Sequence, residues 1–359
     1  PRLRRGDFRA QASANALAGR RVAELVDRWG LAPVVAGVDE VLAYAERRTR
    51  EAHRARPDGG YRGSTELEGG GGTATDSPSE VTVTVRGDRA AIDFAGTSPA
   101  VAGNVNCPLS VTRSACYFAL RVLLPEDVPA CAGTYAPLSI AAPEGSLVNA
   151  RPPHAVVAGN VETSQRIADA VLAALSAAAD VPAAGAGTMN NTVIGGAGWT
   201  YYETVAGGQG ASSRADGPSG VHVGMTNTLN TPIEALELEY PMRVERYELA
   251  ECSGGAGRHR GGDGVVRAIR VLEDATVNLL TDRRRHAPPG LAGGAPGAPG
   301  RNLLEQPGPS SEAPAEPPPV EELPPKTTVS ARAGSVVTVV TPGGGGWGKP
   351  DEAAPPPPG

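Results

Sequence analysis

Apolar residues recur at helical spacing from the start of the chain. Phe8, Ala12, Leu17, Val22, Leu25, Val26 and Trp29 form an interrupted stripe, with Arg5, Arg9, Arg20, Arg21 and Arg28 between them. This predicts an amphipathic helix over 5–29, closed by Gly30. Val38, Val41, Leu42 and Ala45 predict a second helix over 38–50, with Asp39 and Glu40 suited to its first turn, so the two read as a helical hairpin. Residues 57–80, PDGGYRGSTELEGGGGTATDSPSE, read as loop. From Glu80 the period changes to two, and VTVTVRGDRAAIDFAGT predicts a hairpin with strands near 81–85 and 90–94 turning at Gly87-Asp88.

Helical spacing returns at Val111, Ala115, Phe118, Ala119, Val122 and Leu123, opened by Pro108, and again at Val161, Ile167, Ala168, Val171, Leu172 and Leu175. The second of these is the centre of the chain. It is bracketed by loops dense in glycine, asparagine and threonine: 103–106, 159–165, 187–191 and 226–231. Short strands follow at 192–194, 199–205, 242–249, 265–272 and 275–280, the last two reading as another hairpin, and then at 326–330 and 335–341. The expectation is an α+β chain. It divides into a helical hairpin at 1–56, a mixed sheet-and-helix core at 57–250 and a β-rich, barrel-like or sandwich region at 251–285 and 326–348. The Gly/Pro-rich stretch 286–325 reads as loop or disordered.

Composition narrows this picture. The 359 residues hold 47 Gly and 34 Pro, well above the usual share, which calls for an unusual amount of non-helical, non-strand backbone. Aromatic residues are only 4%, so the cores rest on Val, Leu, Ile and Ala. With 33 basic and 39 acidic residues the net charge is −6, which disfavours a dedicated nucleic-acid binder. No apolar run approaches a membrane span. The four cysteines, Cys107, Cys116, Cys131 and Cys252, form no CxxC pair and suggest reduced thiols in a cytoplasmic protein. Cys107, just before a helix, is the one candidate for a reactive thiol.

The candidate chemistry is mostly neutral and polar. The five histidines form no HxH or HExxH pair, leaving His222 as a weak metal candidate and His154, fixed after two prolines, as a site candidate. The run TDRRRH at 281–286 is the best anion-binding candidate by charge, through Arg283 and Arg284. The loops offer amides, hydroxyls and backbone N–H groups that orient a carbonyl or stabilise an oxyanion, with no evident general base.

The segments GNVNCPLSVTRSA, PEGSLVNARPPHAVVAGNVETSQRIADAVLAAL, GTMNN, YYETVAGGQGA, HVGMTNTLNTPIEALELEYP, SGGAGRHRGGDGVVR and TPGGGGWG, in this order, resemble the hydantoinase B/oxoprolinase family. This is the HyuB-type subunit of N-methylhydantoinases, similar also to the C-terminal part of 5-oxoprolinase and to a large subunit of acetone and acetophenone carboxylases. The resemblance implies ATP-driven ring opening of a cyclic amide, a hydantoin or 5-oxoproline, within a multi-subunit complex whose A-type (HyuA-like) partner uses ATP. The activity of the chain alone is left open. Carried over by motif, Asn160, Glu162, Thr163 and Gln165 line or brace the site, and Asn190 and Asn227 are polar contacts. The family's DPYxGGTHxPD-like and HHxDxGG-like segments do not occur here. The chain is therefore expected to match the C-terminal portion of the subunit, with a divalent metal bound mainly by the missing N-terminal part, which a separate fragment would supply. The alternatives are a subunit of an ATP-dependent ketone carboxylase and a non-catalytic assembly subunit.

Overall fold

The computed structural model describes residues 2–69, 75–307 and 319–350. Its contacts group into two units, one of residues 1–55, 86–90 and 124–139 and a larger one of 56–85, 91–123 and 140–359.

Two helices open the first unit, α1 (Arg2–Trp29) and α2 (Leu31–Arg54). Gly30 ends α1 at φ 84°, donating to Val26 O at 2.7 Å, and α2 starts at once, with Pro33 in its first turn where no N–H is needed. Ala45, Thr49 and His53, spaced four apart, are buried. Near them Leu42 meets the short α4 (Ala132–Tyr135) so closely that a Cβ on Gly133 would stand 2.0 Å from Leu42 O. Arg48 bridges to Asp127, and Arg50 to Glu46 and Asp88. The helix pair is as expected, but the apolar stripe of α1 is exposed, Phe8 by 68% and Trp29 by 55%, rather than packed as in a closed hairpin.

In the larger unit, α3 (Leu109–Val122) and α5 (Ser164–Leu175) pack together, and α5 also lies on β1 (Gly59–Leu67). The stretch 57–80 is thus not all loop. Gly63 explains why β1 was hidden: its missing side chain lets α5 approach, since a Cβ there would lie 2.3 Å from Ala170 O. β1 pairs antiparallel with β2 (Ser77–Arg86), whose Ser77, Ser79, Val81, Val83 and Val85 are buried. The sheet continues through β3 (Arg89–Asp93) to β4 (Leu138–Ala141). The hairpin turn is the expected one, with Gly87 at φ 59°.

A sandwich of two open antiparallel sheets follows, not a barrel. Five strands run in the order β11 (Val320–Leu323), β10 (Arg301–Glu305), β13 (Val336–Val340), β8 (Gly264–Val271), β7 (Met242–Ala250). Four run β12 (Lys326–Ala331), β9 (Ala275–Leu280), β5 (Asn191–Gly196), β6 (Trp199–Glu203). Ile269, Val271, Leu304, Val337 and Val339 from the first sheet share one core with Ile194, Tyr201, Val277 and Leu279 from the second, beside Leu236 of α6 (Ile233–Glu239). The expected hairpin of β8 and β9 does not form: β8 pairs with β7 and β13, and β9 with β5 and β12. Their short link crosses from one sheet to the other.

The glycine excess has a structural use. Around Gly343–Gly346 run extended segments near residues 184, 209, 256, 262 and 295. Gly344 N donates to Gly262 O, Gly345 N to Ala184 O and Gly346 N to Ala295 O, at 2.8 to 2.9 Å. Three successive amides therefore reach three different neighbours, the three-residue period of a polyproline-II-like backbone. A Cβ on Gly344, Gly345 or Gly346 would stand 2.0 to 2.2 Å from the carbonyl oxygens of Gln209, Pro289 and Ala256. Residues 288–298 belong to this bundle, so the front of the stretch read as loop or disordered is hydrogen-bonded backbone, followed by β10; residues 308–318 lie outside the described residues.

Candidate functional site

The site is assembled from residues far apart in sequence, all in the larger unit. Its organiser is Glu68, 2% exposed, just beyond β1. Its carboxylate accepts the successive backbone N–H groups of Arg284 (2.9 Å), Arg285 (2.6 Å) and His286 (2.8 Å). Lys326 Nζ donates to the Glu68 backbone carbonyl at 2.7 Å, and the three bonds to the carboxylate fix the chain segment that carries His286.

His286 Nε2 lies 2.8 Å from Asp76 Oδ2 and 3.1 Å from Glu66 Oε2. Glu66 is the last residue but one of β1 and Asp76 immediately precedes β2, so the strand pair delivers one carboxylate from each limb. One ligand atom from each of the three lies within 4.8 Å of the others, a two-oxygen, one-nitrogen set that suits a divalent cation. Burial alone would raise the Asp76 carboxyl, but hydrogen bonds from His286, Gly69 N and Arg285 overcome it and hold it at about 2. This corrects the expectation that the metal is bound mainly by a missing N-terminal part: the candidate triad is in this chain. His222 is not one of the three; its Nδ1 meets Thr226 Oγ1 at 3.3 Å and its Nε2 is buried without a hydrogen-bond partner.

Glu66 and His286 also line a cavity of about 460 Å³ together with Gln165, Asp169 and Arg283, against an apolar wall that includes Phe118, Leu172 and Val181. Gln165 is held by Met225 N, which donates to its Oε1 at 3.2 Å. Arg166 and Asp169, which the helical pattern leaves free to face solvent or a partner, pack within the chain: Arg166 is fully buried and pairs with Asp169 Oδ2 at 2.5 Å, and Arg283 pairs with the same oxygen at 3.0 Å.

Behind the cavity lies Glu162, wholly buried on a π-turn (Gly159–Thr163) that precedes α5. Its Oε1 accepts from Asn191 Nδ2 at 3.0 Å and Met189 N at 3.3 Å, while Oε2 has no partner. Burial, reinforced by Asp282, pushes this carboxyl up to about 8. Thr163 Oγ1 donates to Val105 O, and Asn190, at φ 49°, donates to Val205 O and accepts from Arg284.

Of the residues singled out from sequence, Gln165 and Arg283 thus meet at the cavity, while Glu162, Thr163 and Asn190 lie in the packed polar layer around it. His154, Asn160 and Asn227 are exposed and outside the cavity lining. Arg284 spends its guanidinium on Asn302, Asn190 and Asp282 O. Cys107 is buried, and burial pushes its thiol up to about 12, the opposite of an activated nucleophile. Glu66, Glu68, Asp76 and Asp169 escaped sequence reasoning. Their only signal was an acidic residue at intervals in a stretch that reads as loop, and on a helix face that reads as solvated.

The hydantoinase B/oxoprolinase family model matches residues 1–350. The chain is 40% identical over 308 residues to 5-oxoprolinase 1 of Arabidopsis thaliana, covering 83% of this chain and 24% of that protein. It is 35% identical over 307 residues to the 5-oxoprolinase of Dictyostelium discoideum, again covering 83% and 24%. The structure is similar to that of the ATP-dependent caprolactamase from Pseudomonas jessenii, with a TM-score of 0.85 and 29% identity, over 96% of this chain and 61% of that one. The chain thus spans about a quarter of the length of these two oxoprolinases. Matched along nearly its whole length, in sequence and in fold, the chain belongs to the hydantoinase B/oxoprolinase family.

Proposed function

We propose that this chain supplies the substrate-side cavity of an ATP-dependent hydrolase that opens cyclic amides, working in a multi-subunit system with an ATP-using A-type partner. The observation that carries the reading is the cavity in which Gln165, from the family's central helix, meets Arg283, His286 and Glu66. A planar cyclic amide has an apolar ring for the Phe118, Leu172 and Val181 wall and a polar edge for Gln165. Glu66, Asp76 and His286 would hold a divalent cation at this cavity, where such an ion polarises a carbonyl or lowers the pKa of a water. Glu68 keeps His286 in place through the backbone. Glu162, Thr163 and Asn190 act as braces, holding the start of α5 and the 187–191 loop rather than touching substrate.

The test is reconstitution of the full chain with its A-type partner and ATP on hydantoin, 5-oxoproline and caprolactam. ATP-dependent ring opening of at least one, without bicarbonate, is the expected result. Turnover of a ketone that requires bicarbonate would move the chain to the carboxylase branch, and no turnover on the panel would sink the hydrolase reading. Separately, equilibrium dialysis of the full chain against Mn²⁺ or Zn²⁺ is expected to find one site that weakens at least tenfold in His286→Ala. Unchanged binding in that variant removes the triad from the reading.

A further inference from the structure

We infer that Arg283 and Arg166, set around Asp169, form an oxyanion subsite in the wall of this cavity, for the charged group of a small amphipathic ligand. The inference rests on the reading of the cavity as the substrate site. Asp169 Oδ2 alone receives both guanidinium groups, at 2.5 Å from Arg166 and 3.0 Å from Arg283. The other carboxylate acting on Arg283 belongs to Asp282, whose Oδ2 is 4.0 Å from Lys326 Nζ. Among the described residues, Asp169 is therefore the one carboxylate hydrogen-bonded to either guanidinium, and two buried cations share a single oxygen of it.

The hydrogen bonds tell the same story. Arg166 Nε and Nη1 and Arg283 Nε are buried without a partner, and the side chains that carry them are 1% and 7% exposed. The remaining bonds of Arg283, from Nη1 to His286 O and Ala287 O, are long at 3.5 and 3.4 Å. A buried guanidinium with open N–H groups is costly unless an acceptor arrives. The neighbouring Arg284, by contrast, is consumed by Asn302 and Asn190.

Gly187 lines the cavity at φ 61°, its carbonyl accepts from Arg166 Nη2, and a Cβ there would fall 1.9 Å from that same nitrogen. Only glycine leaves room for Arg166 behind this part of the lining, while Asp169 and Arg283 themselves line the cavity. Phe118, Leu172 and Val181 supply apolar surface to the same space, so the ligand joins an apolar body to an oxyanion. Two sources share this chemistry: a carboxylate on the cyclic amide, and the phosphoryl group of an amide activated with ATP. Guanidinium forks accept either.

The experiment titrates the full-length chain with inorganic phosphate and, separately, with acetate, at constant ionic strength set by chloride. Binding is followed by calorimetry and by the shift in Tm. Saturable binding of phosphate assigns the subsite to a phosphoryl group, and of acetate alone to a carboxylate. Arg283→Gln is expected to weaken that binding about tenfold or more. Asp169→Asn removes the carboxylate that competes for both arginines, so it is expected to tighten binding. A merely structural Asp169 would not do this, and the variant decides the matter where Arg283→Gln fails to fold. Neither anion binding to the wild type, undiminished binding in Arg283→Gln, or weaker binding in a folded Asp169→Asn overturns the proposal. Because the titration needs no ATP, metal, partner or turnover, its failure is distinct from failure of the ring-opening assay.

Discussion

Glu162 takes the N–H groups of Met189 and Asn191 on one carboxyl oxygen and leaves the other, equally buried, without a partner. Its carboxyl is raised in the folded chain from 4.5 to about 8. The unfolded chain therefore releases this proton first as pH rises. The stabilisation from the neutral, buried acid is complete below the unfolded value and is lost as pH climbs through the folded one. Wild-type stability is expected to fall between pH 5 and about 8 in part for this reason. Glu162→Gln, which keeps the neutral shape, is expected to flatten that slope in chemical denaturation at a series of pH values; an unchanged slope removes Glu162 as its origin. Glu68 serves the backbone, accepting from three successive N–H groups. Glu68→Ala would take the acceptor from three part-buried amides at once and is expected to cost about 3 kcal/mol or more, measured by urea unfolding. The thiols give a simpler test. Native protein is expected to react with a thiol reagent at exposed Cys252 first, and at buried Cys107 and Cys116 only on unfolding.

At the scale of elements, an apolar repeat predicted an element whether or not the repeat is buried, since the stripe of α1 is exposed. The helices α1, α2, α3 and α5, the β2–β3 hairpin and the strands β7, β8, β9, β12 and β13 all have an apolar repeat, and all were legible. β1 was not, because a glycine at its closest contact with α5 and polar residues along its edge leave no apolar alternation. The partners of β8 and β9 were not legible either. A three-residue link fits a hairpin and a crossing between sheets equally well, and only the common core decides. The candidate site was half legible. Gln165 and Arg283 lie in motifs or charge runs, but Glu66, Asp76 and His286 are separated by up to 220 residues and gather only through the sheet and the Glu68 anchor. The glycine bundle makes its own prediction at this scale. Gly344→Ala would force a methyl group to within 2.0 Å of Gln209 O, against backbone that is hydrogen-bonded on several sides. A loss of about 4 kcal/mol or more in urea unfolding, or failure to fold, is expected; a loss under about 1 kcal/mol would mean that the bundle yields.

At the scale of the whole molecule, the larger unit frames the candidate cavity with two kinds of packing. The frame is a sandwich with a packed aliphatic core, and next to it a region with almost no side chains. Among the described residues no helix is long and apolar enough to cross a membrane. The cavity draws lining from β1, α5 and the 283–291 segment, and the last of these runs directly into the glycine bundle. Pro289 and Gly290 stand in both. A region with neither helix nor sheet would ordinarily be taken as the first to open and the first to be cut by a protease. Here the amides of Gly344, Gly345 and Gly346 each end on a carbonyl from a different segment, so none can be released without parting several strands of chain at once. In hydrogen–deuterium exchange the TPGGGG segment should therefore behave like the middle of a sheet, its protons persisting as long as those of β8 and β13. The poorest stretch of the chain in side chains would then be among its slowest clocks.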